Sequence, residues 1–206
     1  MAQSLKVLVA CEFSGIVRDA FTARGHFAMS CDLLPTETKG PHYCGDVRDI
    51  LHDEWDLLIG HPECTRLTNA GVRWLRKPNK GKTLVQMWRE LFAAAEFYDT
   101  LRNAPIPRKA LENPVMHKHA RELLNVQKRQ VVQPWWFGDK AFKATGWELF
   151  NLPPLVPTNK LKPPEKGSEE HKRWSWVHRM SPGPNRAKER SRFHPGMAKA
   201  MSEQWG

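Results

Sequence analysis

The stretch 6-KVLVACEFSGIVRDAFTARG-25 decides the architecture of this chain. Lys6 to Phe13 is an apolar run rich in β-branched residues, ended by Ser14-Gly15, after which Ile16, Val17, Ala20 and Phe21 recur at helical spacing as far as Gly25. This reads as strand, tight turn and helix. Working outward, Phe27 to Cys31 is a second strand reaching Asp32, and Pro35 to Pro41 is a loop rich in breakers. Trp55 to Gly60 is a short apolar run stopped by His61-Pro62, which sets the following residues at a strand's carboxyl end. Thr65 to Lys82, with Gly71, Pro78, Gly81 and many basic residues, reads as a mobile loop. Leu84, Met87, Trp88, Leu91, Ala94, Ala95 and Tyr98 then trace one face of a helix from Thr83 to about Arg102. Arg108 to Leu111 is a brief strand ending at Glu112-Asn113-Pro114, a short helix follows through Ala120, Leu123 and Leu124, and Gln130 to Phe137 and Ala144 to Phe150 read as two later strands. Alternating strands and helices predict an α/β domain with a mostly parallel sheet, whose ligands bind beyond the strand carboxyl ends. Ser14, Asp32, Cys64 and Glu112 all fall there.

The 206 residues suit one domain with a sizeable core. We assign residues 1–152 to that core, 153–195 to a basic, proline-rich extension without periodicity, and 196–206 to a terminal amphipathic helix packed on the core. The net charge is +10 and the isoelectric point about 9.7, so a polyanion, nucleic acid above all, is the expected partner. Lys160 to Arg192 carries +6 of that charge, with Trp174, Trp176 and Phe193 interleaved. Cations with aromatics suit phosphates and stacked bases; the plainer alternative is that the aromatics pack back on the domain. Cys11, Cys31, Cys44 and Cys64 lie far apart, which points to neither a zinc module nor a disulfide framework and suits free thiols in a reducing cytoplasm. No apolar stretch is long enough to span a bilayer, so a cytoplasmic protein without a membrane or metal partner is expected.

Several residues carry chemistry. The Ser14-Gly15 turn suits close approach of backbone to a ligand, Asp32 at the end of a second strand suits a ribose hydroxyl pair, and in Gly45-Asp46-Val47 a carboxylate for an exocyclic amine stands beside an apolar ring support. Cys64 follows a proline turn, with His61, Arg66 and Arg73 close in sequence to lower its pKa. Glu112 ends a later strand, where desolvation can keep an acid protonated to donate to a ring nitrogen.

In this order the motifs resemble those of the cytosine-carbon-5 DNA methyltransferase family, in a short form of the sort seen among phage-encoded proteins. Phe13-Ser14-Gly15 with Ala20-Phe21 and Gly25 is similar to the family's first motif, Asp32 to its ribose-binding acid, and Gly45-Asp46-Val47 to its adenine-binding segment. His61-Pro62-Glu63-Cys64 resembles the Pro-Pro-Cys motif with its nucleophile, and Glu112-Asn113-Pro114 the Glu-Asn-Val motif with its catalytic acid. The resemblance spans Val7 to Pro114. It implies a Rossmann-like, S-adenosylmethionine-dependent methyltransferase fold with flanking helices. Phe13, Ser14, Gly15, Asp32, Asp46 and Val47 would bind the cofactor, Cys64 and Glu112 would be catalytic, and Pro62, Asn113, Arg66 and Lys143 would hold the substrate base, with DNA as partner. The chain departs from the family at Glu63, where a second proline is usual, and in having no Gln-x-Arg-x-Arg segment, for which Gln127-Lys128-Arg129 and Lys143 are the candidates. The stretch after Phe150 is short for a separate target-recognition domain. Two other readings stay open: a free cytidine nucleotide as substrate, or a catalytically silent fold that binds nucleic acid or protein.

Overall fold

Val7 and Val9 point to one face of the first strand and Leu8 and Ala10 to the other, and all four are fully buried, as a strand covered by helices on both sides requires. The computed structural model describes residues 3–79, 81–126 and 129–206. Seven strands, β1 (Lys6–Ala10), β2 (Phe27–Asp32), β3 (His42–Cys44), β4 (Leu57–Gly60), β5 (Arg108–Glu112), β6 (Gln130–Val132) and β7 (Thr145–Phe150), form one sheet in the order β3-β2-β1-β4-β5-β7-β6. The first five run parallel, and β7 runs antiparallel to both β5 and β6. This is the Rossmann-like α/β class expected from the sequence. Because chain order reverses between β1 and β4, the loops leaving those two strands diverge and open a crevice at the carboxyl edge.

The helices are α1 (Ile16–Thr22), α2 (Leu84–Arg102), α3 (Lys118–Leu124), α4 (Glu169–Trp174), α5 (Trp176–Arg179), α6 (Arg186–Ser191) and α7 (Pro195–Trp205). Val7, Val9, Leu57, Ile59 and Ala110 pack with Val17 and Phe21 of α1 and with Met197, Met201 and Trp205 of α7. On the opposite face Leu8, Leu58 and Leu111 pack with Met87, Leu91, Ala95, Tyr98 and Leu101 of α2 and with Ala120 and Leu124 of α3. The start of α2 is fixed by a capping box: the Thr83 hydroxyl accepts from the Gln86 amide N–H, and the Gln86 side chain accepts from the Thr83 N–H.

Three expectations need correction. The strand expected over Gln130 to Phe137 stops at Val132, because Pro134 has no N–H for the ladder and instead starts a 3-10 turn, Pro134–Trp136. The basic loop from Thr65 is anchored through buried Leu67 and Leu75, a 3-10 turn at Val72–Leu75 and a bridge from Thr68 to Met116; its Lys80 lies outside the described residues. The extension expected to be loop-like forms α4 to α6 and buries Trp174 and Phe193, leaving Trp176, 38% exposed, as the accessible one of its three aromatics. The plainer reading of those aromatics therefore holds for two of the three.

Candidate active site at the carboxyl ends of the parallel strands

The turn after β1 is built around Glu12. Its side chain is buried, one carboxylate oxygen accepts from the Ser14 hydroxyl at 2.7 Å and from the Val17 amide at 3.1 Å, and the other oxygen is buried without a partner. A carboxylate bonded to the second amide of α1, with the Ser14 hydroxyl accepting from the first, fixes the turn's shape. Gly15 sits at φ +74°, and a Cβ there would lie 2.2 Å from the Thr38 hydroxyl, so the position needs glycine for its backbone and its space. The following loop is held by Arg18, whose buried guanidinium donates to Ser30, Thr36 and Thr38 and to backbone carbonyls of residues 38, 39 and 41. Phe13 is buried at the base of this loop, and its carbonyl accepts from the Glu37 amide.

Asp32 ends β2 and spends one oxygen on the Leu34 amide. Asp46 caps a 3-10 turn at Val47–Asp49 and is paired with Arg48, which holds its carboxyl below the usual range. Val47 is 4% exposed and packs in the core beside Leu51 and Trp55, so the apolar ring support expected of it is a correction: its side chain is committed inward.

At β4 the strand ends on Gly60, a Cβ on which would lie 2.8 Å from the Leu111 side chain, and His61-Pro62 turns the chain. The Cys64 carbonyl accepts from the Leu67 and Thr68 amides, both at 3.0 Å, closing a turn that presents a half-buried thiol. Burial pushes that thiol up, the charge of Glu112 pushes it further, and Lys143 pulls it partly back. The resting sulfur is therefore protonated, which corrects the expectation of a lowered pKa from His61, Arg66 and Arg73. Arg66 is turned away and ion-paired with Glu90 at 2.6 Å, Arg73 stacks on Trp74 at 4.2 Å, and His61 faces Glu112. The side chain expected to hold substrate is thus paired with Glu90 here.

Glu112 ends β5 beside β4. His61 Nδ1 lies 3.1 Å from its Oε2, and 27% of its side chain stays accessible to a ligand. Burial raises its pKa, but the hydrogen bond from His61 and the charge of Lys143 outweigh that and hold the carboxyl below its ordinary value. Here too the expectation is corrected: without ligand, desolvation does not keep Glu112 protonated. Asn113 is buried, its amide donates to the Gly146 carbonyl at 2.8 Å, and its side-chain nitrogen has no partner. Arg129 donates to the Asn113 carbonyl at 3.1 Å and so is the member of the arginine candidates that touches this turn; Gln127 and Lys128 lie outside the described residues.

The extension completes the edge. Lys188 and Arg192 both pair with Glu37 and stand 5.2 and 5.9 Å over the Phe13 ring. Phe193 packs on His61 at 4.9 Å and Trp147 at 6.0 Å between centroids. Phe193→Ala should cost about 3–5 kcal/mol of stability, read as a lowered midpoint in denaturant, because the ring is 6% exposed and fills space between β4 and β7. His194, also buried, has its pKa depressed to about 4 by burial first and then by Lys143. The unfolded chain, with an ordinary value of 6.5, binds the proton more readily, so stability falls as pH drops from about 6.5 to 4, by up to about 3 kcal/mol. Urea melts of His194→Phe should show a flatter profile across that window.

The structure thus brings Cys64, Glu112, Asn113 and Lys143 to one end of β4, β5 and β7, and Phe13, Ser14, Gly15, Asp32 and Asp46 to the ends of β1 to β3. Glu12 and His194 were missed. Glu12 is the one acid inside an otherwise apolar run, a signal available in the sequence; His194 carried none. Among the described residues no group of three or more His, Cys, Asp or Glu side chains is placed to hold a metal ion, and no helix is long and apolar enough to cross a membrane.

No protein-family model and no curated protein matches this chain. Among solved structures, the Entamoeba histolytica methyltransferase EhMeth is similar at 11% identity and a TM-score of 0.43, covering 78% of this chain and 58% of its own. WbdD, in complex with a kinase inhibitor, is similar at 12% identity and a TM-score of 0.38, covering 72% and 36%. The chain thus spans less than two thirds of either. Likenesses this low carry no inference about activity, and the fold assignment rests on the strand order itself.

Proposed function

We propose that this chain methylates carbon 5 of cytosine in DNA, with Cys64 as nucleophile and Glu112 acting at ring nitrogen 3. The observation that supports it is placement: β4 and β5 pair in parallel with Gly60 opposite Leu111, so Cys64 just beyond β4 and Glu112 at the end of β5 share one edge, where the thiol feels the charges of Glu112 and Lys143. The other half of the crevice is where a cofactor would be held: Glu12 keeps a buried, unpartnered oxygen there and Asp32 is partly exposed. Phe13, Ser14, Gly15, Asp32 and Asp46 are the residues that would hold S-adenosylmethionine, which supplies an electrophilic methyl group when bound.

The protonation pattern shapes the mechanism. Resting sulfur carries a proton and Glu112 does not, so reaction begins with the Cys64 proton passing to the Glu112 carboxylate and from there to nitrogen 3. Sulfur then bonds to carbon 6, and the ring electrons, drawn toward protonated nitrogen 3, leave carbon 5 nucleophilic. Glu112, as an anion held by His61, stabilises the charge at nitrogen 3, and Asn113's free amide orients the ring. After carbon 5 has taken the methyl group, its proton passes to solvent water, the electrons of that C–H bond form the carbon 5–carbon 6 double bond, and the Cys64 thiolate leaves carbon 6 and regains, through Glu112, the proton from nitrogen 3. A base inside duplex DNA must first leave the stack, and the basic extension with exposed Trp176 is the surface for the flanking strand.

The test is incubation with tritiated S-adenosylmethionine and either duplex DNA or deoxycytidine monophosphate. Label at carbon 5 of cytosine in DNA is expected. Transfer to the mononucleotide alone favours the free-nucleotide reading, which the burial of Trp174 and Phe193 makes the stronger of the two alternatives. Cofactor binding with label in neither substrate overturns the enzyme.

A further inference from the structure

His61 does more than precede the turn to Cys64. Its ring is about nine-tenths enclosed, with an edge on Trp147 at 5.6 Å and Phe193 packed at 4.9 Å. The two aromatics come from β7 and from the extension, so His61 is gripped by elements distant in sequence. Wedged in this way, the ring aims Nδ1 at Glu112 Oε2, 3.1 Å away, while Nε2 is buried without a partner. A carboxylate has no proton to give, so the hydrogen in this contact sits on Nδ1. Leaving the other nitrogen unpartnered costs free energy, and that cost is tolerated here to hold one orientation.

We propose that His61 is a positioning residue that holds Glu112 as an oriented carboxylate, ready to receive a protonated ring nitrogen. This rests on the proposed role of Glu112. The ionisable groups facing Glu112 are His61 from the end of β4, Cys64 beyond it, Lys143 before β7 and His194 before α7. Of these, His61 makes the hydrogen bond, and its contribution is the largest of those that lower the Glu112 carboxyl. Lys143 contributes charge without fixing direction, and His194, depressed to about 4, is neutral over the working range.

The measurement is a carbon-13 NMR titration of glutamate side-chain carboxyls, with the Glu112 signal assigned by its loss in Glu112→Gln. His61→Leu removes the donor, and His61→Gln places its donor one bond too far along the side chain. His61→Asn keeps an N–H near the position of Nδ1. In His61→Leu and His61→Gln the Glu112 midpoint should move up by about one pH unit or more, because burial is then opposed by the more distant charges, Lys143 first, without a directed hydrogen bond; in His61→Asn it should stay near wild type. If His61→Leu does not fold, the Asn and Gln variants still decide. Equal midpoints in wild type and both amide variants overturn the proposal, because a ring that only fills space has no directed hydrogen bond for His61→Gln to lose. The acid limb of kcat/KM for methyl transfer should follow the same midpoint. A shifted midpoint in a protein that methylates nothing keeps the positioning role and removes the proposed reaction, whereas methylation with unshifted midpoints does the reverse.

Discussion

Cys64→Ala should abolish methyl transfer to DNA, a loss on the order of 10^4-fold or more, as for other enzymes whose nucleophile is removed. The substitution is clean because the Cys64 backbone, not its sulfur, closes the turn through the Leu67 and Thr68 amides. Thermal stability should change by no more than about 1 kcal/mol, and binding of S-adenosylmethionine, on the far side of the crevice, should persist. Single-turnover assays with tritiated cofactor measure the first effect, and calorimetry measures the other two. The wild-type thiol gives a companion readout. Since burial and Glu112 raise it, alkylation by iodoacetamide should be slow at neutral pH and should still be accelerating where an ordinary thiol has levelled off. Methylation that survives Cys64→Ala would remove the covalent mechanism whatever the substrate.

Much of this site was legible because prolines end strands. Pro62 and Pro114 each follow a buried apolar run, so the chemistry between them and those runs had to sit at the sheet's edge; Ser14-Gly15 did the same for β1. What sequence spacing misled on was direction. Arg66 and Arg73 are near Cys64 along the chain, but Glu90 of α2 claims one and Trp74 stacks on the other. Local proximity carries no information about which way a long side chain turns when an acid from another element is within reach. The extension was opaque for a related reason. Phe193 reads as a base-stacking aromatic among cations until β7 supplies Trp147 and β4 supplies His61 to cover it, contacts that no local pattern encodes.

Glu112→Gln separates the two roles that this carboxylate plays. In the proposed reaction its charge would stabilise the protonated ring nitrogen, which an amide of the same shape does poorly, so methyl transfer should fall by about 10^2- to 10^4-fold, the usual range for a positioned acid–base group. For Cys64, the same charge is a burden, because it raises the thiol. Removing it should lower the thiol and make alkylation faster at fixed pH, in the direction opposite to catalysis. His61 can still donate to the amide oxygen, so the ring's wedge between Trp147 and Phe193 is kept and the fold should survive. A variant that collapsed the site would slow the chemistry and alter alkylation through exposure, and its melting temperature would fall. A variant that acts by charge should leave the melting temperature in place while methylation drops and thiol reactivity rises. Measured together on one sample, these three quantities tell charge from structure: parallel losses in methylation and thiol reactivity would remove Glu112 from its place beside the nucleophile.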